Sequence, residues 1–255
     1  MLFVVDVGNT HTVLGLYEGA ELRHHWRLRT DPERTTDEWG LSLHTLFHLV
    51  GLDLAVVKAV AVSSVVPPAV HVIRRASQRY FGVEPLVVGP GVKTGLAIRY
   101  DNPREVGADR IVNAVAAYSV VQGPCIVVDF GTATTFDCIS GSGEYLGGAI
   151  VPGIGIALDA LVTRAAKLPR VEIARPRNVI GRNTEESMQS GILFGYVSLV
   201  DGLVDRLAAQ MGGQARVIAT GGLAGAIASE SRTIESVSPN LTLDGLRLIH
   251  ERNAG

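Results

Sequence analysis

Apolar residues near the front of the chain form short runs that predict a three-stranded meander. Leu2 to Val7 is an apolar run, and Thr12 to Tyr17 and Glu21 to Leu28 have strand-like patterns. Glu18-Gly19, between the last two runs, is a turn signal. We therefore expect three consecutive strands that are joined by tight turns.

After the meander, the pattern alternates between helical and strand-like spacing. Proline fits the first turn of a helix, so Pro67-Pro68 predicts a helix start. The predicted elements are a helix over Thr36 to Leu49, a strand over Ala59 to Val62, a helix after Pro67-Pro68 and a short strand over Pro85 to Val88. The order of the first half is therefore βββαβαβ.

A helix from about Gly107 to Val121 leads into a second half that repeats this plan. Three strands are again predicted, over Ile126 to Asp129, Thr134 to Ile139 and Tyr145 to Ile150. They are followed by helices near Gly155 to Ala166, Thr184 to Met211 and Gly222 to Ala228, with a strand at Val217 to Ala219 between the last two.

The first strand of each half ends in a related sequence. The segments Val4 to Thr12 (VVDVGNTHT) and Val127 to Thr135 (VVDFGTATT) are identical at five of nine positions. Chance similarity is the alternative, because apolar runs followed by Asp and Gly are common. We interpret the match as an internal duplication, and we expect an α/β protein with domains 1–118 and 119–255.

Composition limits the classes of partner. The chain has 255 residues and a net charge of −2, and its basic residues are spread along the sequence. This spread predicts no nucleic-acid partner. We find no signal-peptide pattern and no run of about 18 apolar residues, so we expect a cytoplasmic protein outside the membrane. Cys125 and Cys138 lie in apolar stretches, which suits buried thiols in a reducing compartment.

The turn after the first strand combines an acid, a glycine and small polar residues. Asp6 ends the strand, Gly8 permits a tight turn with exposed amides, and Asn9, Thr10 and Thr12 supply neutral donors. These groups suit phosphate, whereas Asp6 would repel phosphate unless a cation lay between them. Mg²⁺ fits, because it prefers one or two carboxylates with water and phosphate oxygens. The alternative is a hairpin whose Asp and Thr side chains only satisfy the turn.

A later glycine cluster, Thr220-Gly221-Gly222, follows the predicted strand at Val217 and opens a helix. Glycine lets the backbone approach a flat base or sugar closely, so the cluster favours adenosine binding. A glycine-eased turn between strand and helix is the alternative. Neither a P-loop nor the glycine spacing of a dinucleotide-binding turn occurs in the sequence.

This set of motifs resembles the acetate and sugar kinase, actin and heat-shock ATPase superfamily, and within it the type III pantothenate kinase family. The matching segments extend over almost the whole chain: Asp6-x-Gly8-Asn9-Thr10 with Gly15, Gly107-Ala108-Asp109-Arg110, Asp129-x-Gly131-Thr132-Ala133-Thr134, Gly147-Gly148-x-Ile150-x-Pro152-Gly153 and Gly221-Gly222. The resemblance implies an actin-like ATPase fold, in which two ribonuclease-H-like βββαβα domains lie around a central cleft.

The resemblance also implies a reaction. ATP would phosphorylate pantothenate to 4'-phosphopantothenate, which is the first step of coenzyme A biosynthesis. A non-catalytic nucleotide-binding accessory protein for transcription is the alternative within the same family. The presence of Asp109 argues against that alternative.

For the phosphate donor, the resemblance implies ATP with Mg²⁺ on the first turn. The expected nucleotide-binding residues are Asp6, Val7, Gly8, Asn9, Thr10, His11, Thr12, Val13, Thr132, Gly221 and Gly222, with Asp6 on the metal ion. Asp129 is expected to hold a monovalent cation, which is either K⁺ or NH₄⁺.

For the acceptor, the resemblance implies binding by Tyr100, Gly107, Ala108, Asp109, Arg110 and Thr184. Asp109 would accept the proton of the pantothenate hydroxyl, and general-base catalysis of this kind contributes about 10²- to 10⁴-fold. The alternative is structural, because the helix dipole stabilises a carboxylate at a helix start by about 0.3–1 kcal/mol.

Two more residues near Asp109 have open roles. Arg110 offers a planar fork for the pantothenate carboxylate, and a surface ion pair is the alternative. Asp101 lies in the turn-like loop Tyr100-Asp101-Asn102-Pro103, where it is either a second acid of the site or a cap of the turn.

The segment from Thr184 to Met211 carries an apolar stripe at helical spacing, which is ordinarily core. Its members are Met188, Ile192, Tyr196, Leu199, Leu203 and Leu207. The resemblance implies that the stripe belongs to a homodimer interface and that Thr184 reaches the substrate of the neighbouring subunit. A simple helix-start residue is the alternative for Thr184.

Overall fold

A computed structural model describes residues 1–254 and divides the chain into two compact units. The first unit contains Met1–Leu96, Tyr100–Ala116 and the segment from Asn240 onwards. The second unit contains Ala97–Arg99 and Ala117–Pro239. Each unit is built on one β-sheet.

The first sheet contains β1 (Leu2–Val7), β2 (His11–Glu18), β3 (Glu21–Arg29), β4 (Ala59–Ser64) and β5 (Leu86–Val87). Its strand order is β3-β2-β1-β4-β5. β1, β2 and β3 form an antiparallel meander, and β4 and β5 run parallel to β1. The carboxyl ends of β1 and β4 therefore lie side by side.

The second sheet contains β6 (Ala97–Ile98), β7 (Cys125–Phe130), β8 (Ala133–Ile139), β9 (Glu144–Pro152), β10 (Arg216–Gly221) and β11 (Ser236–Val237). Its strand order is β11-β10-β7-β8-β9-β6. β7, β8 and β9 repeat the antiparallel meander, and β10 and β11 run parallel to β7. The connectivity matches that of the first sheet, so the predicted α/β class and duplication are confirmed.

The helices are α1 (Thr36–Leu49), α2 (Pro67–Ala76), α3 (Ala108–Val121), α4 (Ile154–Arg164), α5 (Thr184–Gln210), α6 (Ala224–Ala228) and α7 (Leu241–Asn253), and short helical turns lie at Leu54–Val56, Ser77–Phe81 and Pro103–Glu105. Local sequence explains two of the helix starts. Thr35 and Glu38 form a reciprocal capping box before α1, and the Asn183 side chain accepts a hydrogen bond from the Glu186 amide before α5. Within residues 1–254, no helix combines the length and apolarity needed to span a bilayer.

The two faces of the first sheet are covered by different helices. Val5 and Val7 point to the face that packs with Phe47 of α1. On the opposite face, an added Cβ at Gly15 would lie 3.1 Å from Leu243 Cδ1 of α7. Because side chains alternate along a strand, Asp6 points to the α7 face.

The second sheet packs one face against α5. Val128 and Phe136 share a buried cluster with Tyr196 and Val200 of that helix. Asp129 follows Val128 in β7 and therefore points to the opposite face.

The two cysteines lie in neighbouring strands of the second sheet. Both are buried and neither forms a disulfide, as predicted. Burial, together with the nearby Cys138, raises the pKa of Cys125 to about 12. This thiol therefore stays protonated and unreactive at neutral pH.

The predicted elements lack α7. Gly245 in its middle weakens the helical pattern, since Gly costs about 1 kcal/mol relative to Ala in a helix interior. An added Cβ at Gly245 would lie 2.1 Å from the Val112 carbonyl oxygen, so glycine permits close packing on α3. The first unit thus includes the end of the chain, whereas the predicted division assigned all of 119–255 to the second domain.

Candidate active site

Asp6 lies near the carboxyl end of β1, between Val13 of β2 and Ser63 of β4. The Asp6 side chain is half-buried. The fully buried Ser63 hydroxyl donates a hydrogen bond to Asp6 Oδ1. This bond orients the carboxylate, as is usual for a carboxylate that binds a metal ion.

The turn from Gly8 to His11 is held by backbone and side-chain hydrogen bonds. The Gly8 amide donates to the His11 carbonyl at 3.0 Å. Thr30, just after β3, donates its amide to the Thr10 carbonyl at 3.0 Å and its hydroxyl to the Gly8 carbonyl at 2.7 Å. Asn9, Thr10 and His11 are exposed at the tip. The turn is therefore anchored to β3, and its polar tip is open to a ligand.

Thr12 faces away from Asp6. Thr12 is paired with Val7 and buried, and its hydroxyl lies 3.0 Å from the Thr30 hydroxyl. The neighbouring Val13 is the β2 residue on the Asp6 face. The Thr12 hydroxyl therefore helps to hold the turn, and the predicted contact of Thr12 with phosphate stays a prediction.

Asp109 folds back over the start of α3. An added Cβ at Gly107 would lie 2.5 Å from Asp109 Oδ1, so glycine is required for this conformation. The Arg110 amide donates to the same carboxylate oxygen at 2.8 Å. Ala108, between them, is the half-buried first residue of the helix.

Gly107 also connects Asp109 to the edge of the sheet where β1 ends. Its added Cβ would lie 3.6 Å from Val65 Cγ1, and the Val65 amide donates to the Val7 carbonyl at 3.1 Å. Val7 directly follows Asp6. The first unit therefore brings the two predicted site acids to the same region.

Burial raises the pKa of Asp109 above the ordinary carboxyl range, although the Arg110 amide and the Arg110 charge lower it in part. A raised pKa makes this carboxylate a better proton acceptor near neutral pH. A favourable contact with the helix dipole alone would lower the pKa, so the dipole does not explain the environment of Asp109.

Arg110 is only 9% exposed, so it is not a surface residue, and its contact with the pantothenate carboxylate stays a prediction. In the preceding loop, Tyr100 is 36% exposed and Asp101 is exposed. Asn102, rather than Asp101, caps the loop, since its Oδ1 accepts the Arg104 amide at 3.3 Å. The role of Asp101 as a second acid stays a prediction.

Asp129 lies near the carboxyl end of β7, between Thr135 of β8 and Thr220 of β10. Gly221 has φ +92°, and an added Cβ there would lie 2.7 Å from Asp129 Oδ1 and 2.6 Å from the Phe130 carbonyl oxygen. Gly221 therefore keeps space beside the carboxylate. This is a structural reason for the first glycine of the cluster that was predicted to bind adenosine.

Gly222 is exposed between β10 and α6, and Thr132 is exposed in the turn after β7. Their predicted contacts with the nucleotide stay predictions.

The second turn is held in part by the backbone of a glycine. The Gly153 amide donates to the Thr132 carbonyl at 3.1 Å, and an added Cβ at Gly153 would lie 2.2 Å from that oxygen. In the first turn, the Thr30 amide donates to the Thr10 carbonyl in the same way. Gly153 is therefore the counterpart of Thr30. No side chain can therefore extend from this position without moving the turn.

The hairpins also differ in length by one residue. Asp6 is paired with a residue seven positions later, Val13, whereas Asp129 is paired with Thr135, six positions later. The structural counterpart of Thr12 is therefore Thr134, and not Thr135 as in the sequence match. Thr134 is fully buried, and its hydroxyl has no hydrogen-bond partner among the described residues.

Thr184 is exposed in the first turn of α5, where Asn183 serves as the cap. Capping is therefore not the role of Thr184. It borders a depression of about 690 Å³ in the second unit, together with Arg182, Met188 and Leu168.

The apolar stripe of α5 packs inside the second unit. Its members from Ile192 to Leu207 contact the main buried cluster, and Met188 packs in a smaller cluster beside it. Ile192, Leu199, Leu203 and Leu207 are only partly buried, and the implied placement of this stripe in a dimer interface stays a prediction. The open side of α5 carries Gly191 and Gly195, where an added Cβ would meet no atom within 4 Å.

The predicted site lacks three residues that shape the turns, which are Ser63, Thr30 and Gly153. The signal for Ser63 was a hydroxyl at the end of the apolar run over Ala59 to Val62. Neither Thr30 nor Gly153 has such a local signal, because each contacts its turn only through the pairing of the third strand in the meander.

Comparison with known proteins decides the family. The model of the family described as type III pantothenate kinase matches residues 2–206. The chain is 61% identical over 253 residues to the type III pantothenate kinase of Anaeromyxobacter sp. (strain Fw109-5), covering 99% of this chain and 100% of that relative. This chain belongs to the type III pantothenate kinase family. The resemblance inferred from the motifs is thus confirmed.

Solved structures of low sequence identity share the fold. A conserved protein of Campylobacter jejuni assigned to the Baf family of transcriptional activators has a TM-score of 0.61 at 16% identity, covering 99% of this chain and 98% of that one. A ROK family glucokinase from Streptomyces griseus, in complex with glucose and AMPPNP, has a TM-score of 0.56 at 14% identity, covering 100% and 99%. At such identities these likenesses show the fold alone, and they agree with the predicted actin-like ATPase class.

Proposed function

We propose that the protein transfers the γ-phosphoryl group of ATP to the primary hydroxyl of pantothenate, the first step of coenzyme A biosynthesis. Membership of the type III pantothenate kinase family supports this reaction. The observation that carries it at the site is the half-buried Asp109, which has a raised pKa and lies near the turn of Asp6.

Asp109 acts as the base. As the pantothenate oxygen forms its bond to the γ-phosphorus, its proton passes to the Asp109 carboxylate and ADP leaves. The transition state of phosphoryl transfer is loose, so positioning and charge neutralisation lower most of the barrier. A carboxylate of moderate basicity is therefore sufficient.

Asp6 fits a Mg²⁺ ion that arrives with the nucleotide. Magnesium in kinase sites is bound by one or two carboxylates plus substrate phosphates, and Asp6 is one carboxylate oriented by Ser63. The described residues hold no cluster of three or more His, Cys, Asp or Glu that would form a metal cage. When bound, the ion neutralises phosphate charge beside Asp6.

Asp129 fits a monovalent cation, K⁺ or NH₄⁺. The space that Gly221 leaves beside Asp129 Oδ1 supports this proposal, because an added Cβ would fill it at 2.7 Å. In that position the cation offsets phosphate charge near Thr132.

For the acceptor, we place the pantothenate carboxylate at Arg110, with Tyr100 and Gly107 beside it. We also place a second copy of the chain on the open side of α5. The exposed small residues Gly191 and Gly195 permit a close approach of helices, and Thr184 lies on the same helix. The two buried thiols suit the reducing cytoplasm.

A coupled ATPase assay with pantothenate, run in potassium and then in sodium, tests this function. Turnover in potassium is the expected result, with little in sodium. Loss of turnover in both salts would contradict the kinase assignment. Equal turnover in both salts would contradict only the role of Asp129 in cation binding. A protein that stays monomeric in sedimentation would contradict the role of Thr184 at the substrate site of a neighbouring subunit.

A further inference from the structure

The outer strand β3 carries cationic side chains on the sheet face of Asp6. Arg23, Arg27 and Arg29 occupy alternate, exposed positions of β3. Arg27 is directly paired with Val13, which is in turn paired with Asp6. Directly paired residues point to the same face, so Arg27 and Arg29 lie on the Asp6 face of the sheet. Arg23 lies at the bulge between the pairs Leu16–His24 and Tyr17–Leu22 and has no paired residue in β2.

Arg29 lies beside the first turn. It is paired with His11, whose carbonyl accepts the Gly8 amide at 3.0 Å. The next residue, Thr30, donates its amide to Thr10 and its hydroxyl to Gly8. The backbone of Arg29 is therefore fixed relative to the phosphate-binding turn.

The three arginines differ in their charge partners. Arg23 forms ion pairs with Glu18 at 3.5 Å and Glu21 at 2.9 Å. Within residues 1–254, Arg27 and Arg29 form no ion pair or hydrogen bond through their guanidinium groups. Their positive charge is therefore available to a ligand.

The first turn lacks positive charge of its own. Its side-chain donors are neutral, there is no P-loop lysine, and Asp6 and Asp109 both repel phosphate. Adjacent strands are about 4.8 Å apart, so Arg27 lies about 10 Å from Asp6 across Val13. A guanidinium group matches phosphate oxygens with its planar fork of donors. An anion over Val13 would meet the Asp6 site on one side and Arg27 on the other.

The duplicated sheet shows that the fold does not require these charges. The row through Asp129 and Thr135 ends at Ile150 of β9, which is 61% exposed. The residue paired like Arg29 is Pro152. Protection of a sheet edge by cations is a general reason for arginine on an outer strand, but it would apply to Arg23 as much as to Arg27.

We propose that Arg27 and Arg29 bind the phosphate chain of the nucleotide, Arg27 across Val13 from Asp6 and Arg29 beside the turn. This inference rests on the proposed function, because it takes ATP as the phosphoryl donor. It adds two binding residues to the turn and gives β3 a part in the site.

The test compares Arg27→Ala, Arg29→Ala and the double variant with Arg23→Ala, a control that removes an exposed arginine of the same strand outside the row of Asp6. Hydrogen bonds to charged groups are strong, so we expect the KM for ATP to rise about tenfold in each single variant. The KM for pantothenate should stay unchanged. Salt should weaken ATP binding in the wild type and in Arg23→Ala more than in the double variant, since exposed charges are screened.

Direct titration of ATP with Mg²⁺ into each protein, without pantothenate, separates this inference from the proposed function. If the wild-type protein binds ATP but shows no turnover, the proposed kinase reaction is contradicted. The ATP affinities of the variants would still test the roles of the two arginines. Arg27→Lys keeps the positive charge, so it should bind ATP more tightly than Arg27→Ala. If an alanine variant is destabilised and has a lowered Tm, Arg27→Lys replaces it in the comparison. An affinity of the double variant that equals the wild type, or an equal loss in Arg23→Ala, would overturn the proposal.

Discussion

The two sheets carry the same acid-bearing turn with different support. In the first sheet, hydroxyl groups hold the turn: Thr30 bonds to Gly8 and Thr12, and Ser63 bonds to Asp6. In the second sheet, glycines hold it: Gly153 and Gly221 approach backbone carbonyls so closely that a Cβ would clash. The duplication has thus kept the acid and replaced Thr30, which holds the first turn, with Gly153.

This difference separates two tasks. The first turn has an oriented acid, the carboxylate of Asp109 nearby and free cations on β3, which together suit a phosphate chain that carries Mg²⁺. The second turn has space beside Asp129 and apolar Ile150 in place of Arg27. Space next to one carboxylate suits a simple cation better than a polyphosphate.

The largest expected effect separates the base from the other acids. Asp109→Asn should bind ATP normally and lose turnover by at least about 100-fold, because general-base catalysis contributes about 10²- to 10⁴-fold. Steady-state kinetics with separate ATP titration measure both quantities. Glu105→Gln, an exposed acid of the preceding loop, is the matched control. Near-normal turnover of Asp109→Asn would contradict a catalytic role and leave Asp109 with a structural role only.

The pH dependence sharpens the same point. Folding raises the pKa of Asp109. The ionised carboxylate therefore lowers the free energy of unfolding once the pH exceeds the ordinary carboxyl pKa of about 3.9. Asp109→Asn should therefore unfold at a higher urea concentration than the wild type at neutral pH. The difference should vanish at a pH below the ordinary carboxyl pKa, where Asp109 is protonated in both states. A difference that persists there would have another cause.

The next effect compares the glycines of the two turns. Gly221→Ala adds a Cβ at a position with φ +92° and 2.6 Å from the Phe130 carbonyl oxygen. Overpacking of this kind costs about 1–3 kcal/mol of unfolding free energy. Gly8→Ala should cost less, because its added Cβ would lie 3.1 Å from the His11 carbonyl oxygen. Urea unfolding of both variants checks the order, and a reversed order would contradict the account of the second turn.

The smallest effect compares two hydroxyl groups at the core. Thr30→Val leaves Thr12 and the Gly8 carbonyl without a partner, which costs about 1–3 kcal/mol. Thr134→Val removes a buried hydroxyl that has no partner among the described residues, so it should be neutral or stabilising. Thermal unfolding of the pair measures the contrast. A large destabilisation by Thr134→Val would show that its hydroxyl is bonded.

Much of the fold could be predicted from local pattern. The strands of both meanders and the bounds of α1 follow from apolar spacing and from caps such as Thr35 and Glu38. The duplication was visible because Asp6 and Asp129 end matching apolar runs. These features are local, so one sequence contains them.

The parts that escaped prediction depend on contacts between distant segments. α7 packs on β1 although more than two hundred positions separate them, and Gly245 hides its helical pattern. The orientation of the Thr12 side chain depends on the length of its hairpin, which is one residue longer than that of the second hairpin. The sequence match therefore aligned Thr12 with Thr135, whereas its structural counterpart is Thr134. The free arginines of β3 became visible only when pairing placed Arg27 in the row of Asp6.

The packing of α7 also sets an order of events during synthesis. The ribosome synthesises β1 before α7, yet one face of the earliest sheet is covered by Leu243 of α7, which emerges more than two hundred residues later. Until then the nascent β1–β2 hairpin keeps an apolar surface uncovered, where chaperones or neighbouring chains bind. The same dependence makes α7 a poor place for deletions.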